Sequence, residues 1–128
     1  MVDSNVLFDL YCKTERLKVV QKIVLDRELY ISQAVFYELG SLLKKFLGSR
    51  LAGLFLEDIK DTCYILPLTD EQEDTAMQIM QKYQFKNPNK EYTLTDAIQL
   101  VQAQEYSLNL YTSDEAMTWF RGAKVEHI

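Results

Sequence analysis

The sequence predicts an α/β fold with a short, mainly parallel central sheet. Short runs of strand formers, Leu29-Tyr30-Ile31, Cys63-Tyr64-Ile65-Leu66 and Leu108 to Thr112, alternate with longer segments whose apolar residues recur every three or four positions. That alternation lays helices over the faces of a parallel sheet. With 128 residues, 48% of them hydrophobic and 26% charged, the chain has the material for one core, and residues 1–128 are read as a single domain. It contains no repeats, low-complexity tracts or linkers.

The elements follow in order. Met1 and Val2 begin a very short strand, with Leu110 and its neighbours as partner. Val6, Leu7, Leu10 and Tyr11 predict a first helix just after Asn5; Leu17, Val20, Ile23 and Val24 predict a second. After the strand at 29–31, Ser32 is a good N-cap. The next helix turns Val35, Leu39, Leu42, Leu43, Phe46 and Leu47 to one apolar face and stops at Gly48. Ser49 caps another, carrying Leu51, Leu54, Phe55 and Ile59. Cys63 to Leu66 reads as a buried strand closed by Pro67. Thr69 opens a helix with Asp70, Glu71 and Glu73 in its first turns, where acids suit the helix dipole, and Ala76, Ile79, Met80 and Tyr83 inside. Phe85 to Tyr92, with Asn87-Pro88-Asn89-Lys90, is a loop. A helix from Leu94 to Tyr106, the strand at 108–112, a short helix after Asp114 bearing Met117 and Phe120, a break at Gly122 and an edge strand at Lys124-Val125-Glu126 complete the chain.

Composition excludes several classes. No apolar run approaches the roughly 18–20 residues of a membrane span. The start, Met1-Val2-Asp3, lacks the basic and apolar regions of a signal peptide. The expectation is a cytoplasmic protein with no membrane partner. Two cysteines, Cys12 and Cys63, are too few and too far apart for a zinc site or a disulfide framework, and read as buried thiols in a reducing compartment. The single histidine, His127, stands beside the C-terminus, which argues against mechanisms that need a placed imidazole. A net charge of −5 argues against simple electrostatic binding of nucleic acid. It leaves open a site where clustered acids hold metal ions and so reverse the local charge.

Four acids occupy unusual places. Asp3 and Asp114 each follow directly on a predicted strand, at the carboxyl edge where α/β sheets bind ligands. Asp96 opens a helix. Glu38 stands three residues after Val35 and four before Leu42, which reads as a position along the buried stripe, and a buried carboxylate is costly unless paired or metal-bound. Each has a purely structural alternative. Thr93-Leu94-Thr95-Asp96 is a capping box with Asp in place of Glu, Asp114 can cap the helix behind it, and Asp3 can be a turn acid. Glu38 is the hardest to explain structurally.

Taken together, the chain resembles the PIN-domain ribonucleases, in particular the small VapC-type toxins of toxin–antitoxin pairs. The resemblance rests on Val2-Asp3-Ser4-Asn5-Val6-Leu7, on Ile31-Ser32 through Glu38-Leu39, on Leu94-Thr95-Asp96-Ala97 and on Leu110-Tyr111-Thr112-Ser113-Asp114. It implies a three-layer α/β/α fold in which Asp3, Glu38, Asp96 and Asp114 form the catalytic and metal-binding set, with Asn5 and Thr112 orienting the acids or the attacking water. It implies Mg²⁺ or Mn²⁺ as cofactor, hydrolysis of RNA by a metal-activated water to a 5′-phosphate and a 3′-hydroxyl, a cognate antitoxin as partner and a homodimer as the assembly. Ser4 departs from a more usual Thr, and Glu115-Ala116-Met117 follows Asp114 where a pair ending in Phe is usual; Glu115 is read as facing solvent. Candidate phosphate contacts are Lys13, Arg16, Lys44, Lys45, Lys86 and Lys90, and Tyr92 is a candidate for base stacking, with packing as its alternative.

Three other readings have sequence-level discriminators. A PIN-like domain that binds RNA or protein without cutting conflicts with retention of all four acids. A receiver-like phosphate-handling fold expects paired acids at the first strand and a later lysine, and Asp3 has no acidic neighbour. A purely structural partner domain leaves Glu38 without a reason.

Overall fold

The structure, a computed structural model, describes residues 1–24, 28–86 and 92–128, without the side chains of 83–86. Its elements are α1 (Ser4–Tyr11), α2 (Leu17–Val24), β1 (Leu29–Ser32), α3 (Gln33–Thr62), β2 (Cys63–Leu66), α4 (Asp70–Lys86), α5 (Leu94–Glu105), β3 (Asn109–Thr112) and β4 (Lys124–His127), with a 3-10 turn at Glu115–Trp119 between the last two strands. The helices and strands anticipated from periodicity are present. Of the anticipated loop at 85–92, residues 85 and 86 finish α4, and 87–91 lie outside the described residues.

The sheet is built around the Met1–Asp3 segment. β1 pairs with β2 in parallel, Leu29 opposite Cys63 through Ser32 opposite Leu66. β3 pairs with β4 in parallel, Asn109 opposite Lys124 through Thr112 opposite His127. Val2 joins the pairs: its N–H donates to the Tyr30 carbonyl at 3.0 Å, and it bridges Tyr111 in parallel, with Tyr111 N–H to Met1 O and Asp3 N–H to Tyr111 O both at 2.9 Å. The spatial order is therefore β2, β1, the Met1–Asp3 segment, β3, β4.

Strand side chains alternate between faces, and the core divides accordingly. Val2, Ile31 and Tyr111 pack with Val6, Leu7, Val20, Leu39 and Leu43 from α1, α2 and α3. Met1, Tyr30 and Leu110 pack with Leu100, Ala103, Met117 and Phe120 on the other face. Ala76 of α4 meets Ala97, Ile98 and Val101 of α5 to complete that layer. This is a three-layer α/β/α arrangement.

Three local expectations change. Cys63 is buried but Tyr64 is 55% exposed, because β2 lies outermost beside β1 and Tyr64 stacks on Tyr30 at 5.0 Å between ring centroids. Phe46 is 62% exposed. The buried row of α3 is Val35, Leu39 and Leu43, and Phe46 flanks it, making an edge contact with Phe8. Ser32 occupies the N-cap position of α3 but makes no capping hydrogen bond, and its buried Oγ has no partner among the described residues. Among those residues no helix is long and apolar enough to cross a membrane.

α3 breaks in its middle at Gly48, with φ 84° and ψ 165°. That conformation is nearly closed to residues bearing a Cβ, although a Cβ there would meet no atom within 4 Å. Gly48→Ala is therefore expected to destabilise the fold by about 1–3 kcal/mol through backbone strain alone, read as a lower urea midpoint with unchanged slope.

Candidate active site

Asp3 is positioned by the sheet. Its N–H is bonded to Tyr111, so its side chain leaves the carboxyl edge of the central segment. The residue is only 4% exposed, and protein donors replace water around the carboxylate. Oδ1 accepts from the Ser4 N–H at 2.7 Å and Gln99 Nε2 at 3.0 Å, with the Ser4 hydroxyl more distant at 3.4 Å. Oδ2 accepts from Thr112 Oγ1 at 2.8 Å and Asn5 Nδ2 at 3.3 Å. A buried charge is costly without such partners.

Thr112, fully buried at the end of β3, links Asp3 to Asp114. Its hydroxyl donates to Asp3 and accepts the Asp114 N–H at 3.0 Å. Asn5 spans the same gap: its Nδ2 reaches Thr112 Oγ1 at 3.3 Å, and its Oδ1 accepts the Ser113 N–H at 3.2 Å. The geometry thus brings Asn5 and Thr112 between the two strand-end acids.

Three of the four acids cap helices. Asp3 is the N-cap of α1. Asp114 caps the 3-10 turn through Ala116 N–H to Oδ1 at 3.0 Å. Asp96 completes the capping box, with Thr93 N–H to Asp96 Oδ2 at 3.1 Å and Asp96 N–H to Thr93 Oγ1 at 3.2 Å. The capping role and a ligand role are compatible, because a carboxylate has two oxygens, and Asp96 Oδ1 receives no hydrogen bond from the described residues.

Glu38 corrects an expectation. It is exposed, not buried. The buried row on α3 runs through Val35, Leu39 and Leu43, and Glu38 flanks it beside half-buried Leu42. It nonetheless faces the other acids electrically. Its carboxyl pKa is raised by desolvation first, then by the charges of Asp3 and Asp96. That of Asp96 is raised by desolvation, partly offset by the Thr93 hydrogen bonds, with Asp3 and Asp114 pushing it further up. The structure therefore brings all four acids within electrostatic reach.

The donor set fits a hard divalent cation. It consists of carboxylate oxygens, and among the described residues no Lys, Arg or His stands at ion-pair distance from Asp3, Glu38 or Asp96. No group of three or more carboxylates, thiols or imidazoles among those residues is already closed to metal-binding distances. Three of the acids are turned to their capping donors.

Other candidates fall elsewhere. Lys13, Lys44 and Lys45 are exposed and Arg16 half-buried, while the Lys86 side chain and Lys90 lie outside the described residues. Tyr92 is buried, with its hydroxyl on the Ala116 carbonyl at 3.3 Å, and so packs rather than presenting a face for stacking. Glu115 is exposed, as expected. Gln99 was not anticipated. Its signal was available: a polar residue one turn after Asp96 inside the apolar run Ile98, Leu100, Val101.

The PIN domain family profile matches residues 1–122. The chain belongs to the PIN-domain family. Solved structures share the PIN fold over nearly its whole length. VapC20 of Mycobacterium tuberculosis, described as a Sarcin-Ricin loop cleaving toxin, is 18% identical with a TM-score of 0.76, covering 92% of each chain. A chain of a toxin–antitoxin complex from Klebsiella pneumoniae is 22% identical at 0.71, covering 99% of this chain and 98% of that one. A chain of VapBC2 from Rickettsia felis, bound to a promoter DNA fragment, is 12% identical at 0.77, covering 100% and 97%. Among curated protein sequences none matches significantly.

The raised pKa values of this PIN domain set a sign for pH dependence. Glu38 and Asp96 bind protons more tightly folded than unfolded. They favour the folded state below the ordinary carboxyl range near pH 4. That contribution is lost as pH rises through their elevated folded values. In metal-free buffer, wild type should therefore lose stability relative to Glu38→Gln and Asp96→Asn between about pH 4 and neutrality. Thermal melts in EDTA read this directly. Asp96→Asn keeps an oxygen for Thr93 and should melt no lower than wild type at neutral pH, whereas Asp96→Ala loses the acceptor for the Thr93 N–H, half of the capping box, and should melt below Asp96→Asn.

Proposed function

We propose that this PIN domain, residues 1–128 acting as one unit, is a divalent-metal-dependent endoribonuclease and the toxin of a toxin–antitoxin pair. The observation that carries the reading is the linkage of the strand-end acids Asp3 and Asp114 through Thr112, with the charges of Asp3 and Asp96 acting on Glu38 and those of Asp3 and Asp114 acting on Asp96. The PIN family match supports it, as does the shared fold with a toxin that cleaves the Sarcin-Ricin loop and with chains of toxin–antitoxin complexes.

Asp3, Asp96, Asp114 and Glu38 would hold Mg²⁺ or Mn²⁺. When bound, such an ion supplies Lewis-acid polarisation of a phosphoryl group and an acidified water. The chain's own part is positioning. Thr112 and Asn5 keep Asp3 and Asp114 in fixed relation. Capping holds Asp96 in one orientation. Exposed Glu38 forms the open side, where RNA and solvent reach the acids. A cognate antitoxin protein is the proposed partner, a homodimer the proposed assembly and the cytoplasm the proposed place of action.

Incubating the purified protein with a pool of single-stranded and structured RNA, in Mn²⁺, in Mg²⁺ and in EDTA, tests the reading. Cutting is expected with either metal, none in EDTA, and a fall to the EDTA background in Asp96→Asn and Asp114→Asn. Absence of cutting together with absence of Mn²⁺ binding by calorimetry would instead leave a PIN-like domain that binds RNA or protein without cleaving.

A further inference from the structure

Gln99 is the buried group the proposed mechanism leaves unused. Its side chain is fully buried, and its Nε2 donates to Asp3 Oδ1 at 3.0 Å. Its Oε1 is buried with no hydrogen-bond partner among the described residues. The amide cannot gain by flipping, because its oxygen would then face the Asp3 carboxylate. A buried acceptor without a partner is unfavourable. Ile98, Leu100 and Val101 around it show that α5 takes an apolar side chain readily at this depth. The Gln99 amide supplies one hydrogen bond to the buried Asp3 carboxylate while leaving its own acceptor unpaired, a costly way to satisfy Asp3 if stability were its whole role.

Ser4, Asn5 and Thr112 come from the segments that flank Asp3 in the sheet or follow it in sequence. Gln99 comes from α5, the helix that also carries Asp96 one turn earlier. It is therefore the direct hydrogen bond from the helix of one acid to the carboxylate of another. Rotation of the Asp3 side chain breaks that bond, and displacement of α5 breaks it too.

We propose that Gln99 is a positioning residue for the metal site: its amide fixes the Asp3 carboxylate in relation to Asp96 so that both are presented to one cation. The proposal rests on the metal-dependent reading above. It predicts that residue 99 sets cation affinity more than fold stability. Groups that orient a metal's direct ligands typically change affinity by 10–100-fold when removed.

The test is Mn²⁺ titration calorimetry on the whole chain, with thermal melts in EDTA, for wild type, Gln99→Leu and Gln102→Leu. Gln102 is a matched control. It is equally buried one turn further along α5, also with an unpartnered Oε1, but it bonds to the Pro67 carbonyl and Gln72 rather than to a site acid. Gln99→Leu should weaken Mn²⁺ binding at least about tenfold, with a melting temperature within about 5 °C of wild type. Gln102→Leu should leave the affinity within about twofold, inside the independence expected of groups that share no partner. Unchanged affinity in Gln99→Leu, or an equal loss in both variants, overturns the positioning role. A wild type that binds no Mn²⁺ overturns the metal-dependent reading itself, and is seen before any variant is compared.

Discussion

The structure depends on satisfying one buried carboxylate, that of Asp3, with hydrogen-bond donors from three different elements. Asp3 follows the central segment of the sheet, where β1 and β3 both attach. Burial removes its water, and donors from the start of α1, the end of β3 and the middle of α5 replace it. None of these donors is a cation. The negative charge is held by oriented neutral dipoles rather than cancelled, so it is still felt at Glu38 and Asp96. A lysine in the same place would stabilise Asp3 and also cancel the charge that acts on Glu38 and Asp96.

Helix ends solve the companion problem of holding several acids near one another. The N-terminus of a helix carries partial positive charge and unsatisfied N–H groups. Asp3, Asp96 and Asp114 each sit at such an end and each accept backbone N–H bonds there. Capping thus supplies part of the compensation for like charges brought together. Glu38 has no cap. It is within α3, on the exposed flank of the buried row, where partial desolvation and the charges of Asp3 and Asp96 raise its pKa. Of the four acids, Asp3 is thus the most enclosed and Glu38 is exposed.

Much of the architecture was legible in the sequence because it depends on local rules. Periodicity placed the helices and strands, Gly48 marked the break in α3, Thr93 and Asp96 announced their capping box, and the strand-end acids followed from the general position of ligands in parallel sheets. The PIN resemblance, carried by four short motifs in chain order, belongs to the same level. Burial along a helix was less legible. Glu38 and Phe46 lie at angles adjacent to the buried row of α3, and sequence spacing does not resolve which edge of an apolar stripe faces the core.

What the tertiary structure alone decided is how distant residues share hydrogen bonds. That Val2 forms the centre of the sheet rather than an edge follows from its pairing with both Tyr30 and Tyr111, which lie 28 and 109 residues away. That Thr112 joins Asp3 to Asp114 is a consequence of β3 pairing with the Met1–Asp3 segment, and that Gln99 reaches Asp3 across 96 residues of chain is a consequence of packing α5 on the sheet. The sequence by itself determined which residues form each element and which acids stand at element ends, because those properties are set by neighbours three or four positions away. The relation among the acids, and the donors that hold the innermost of them, required three layers to close around one another.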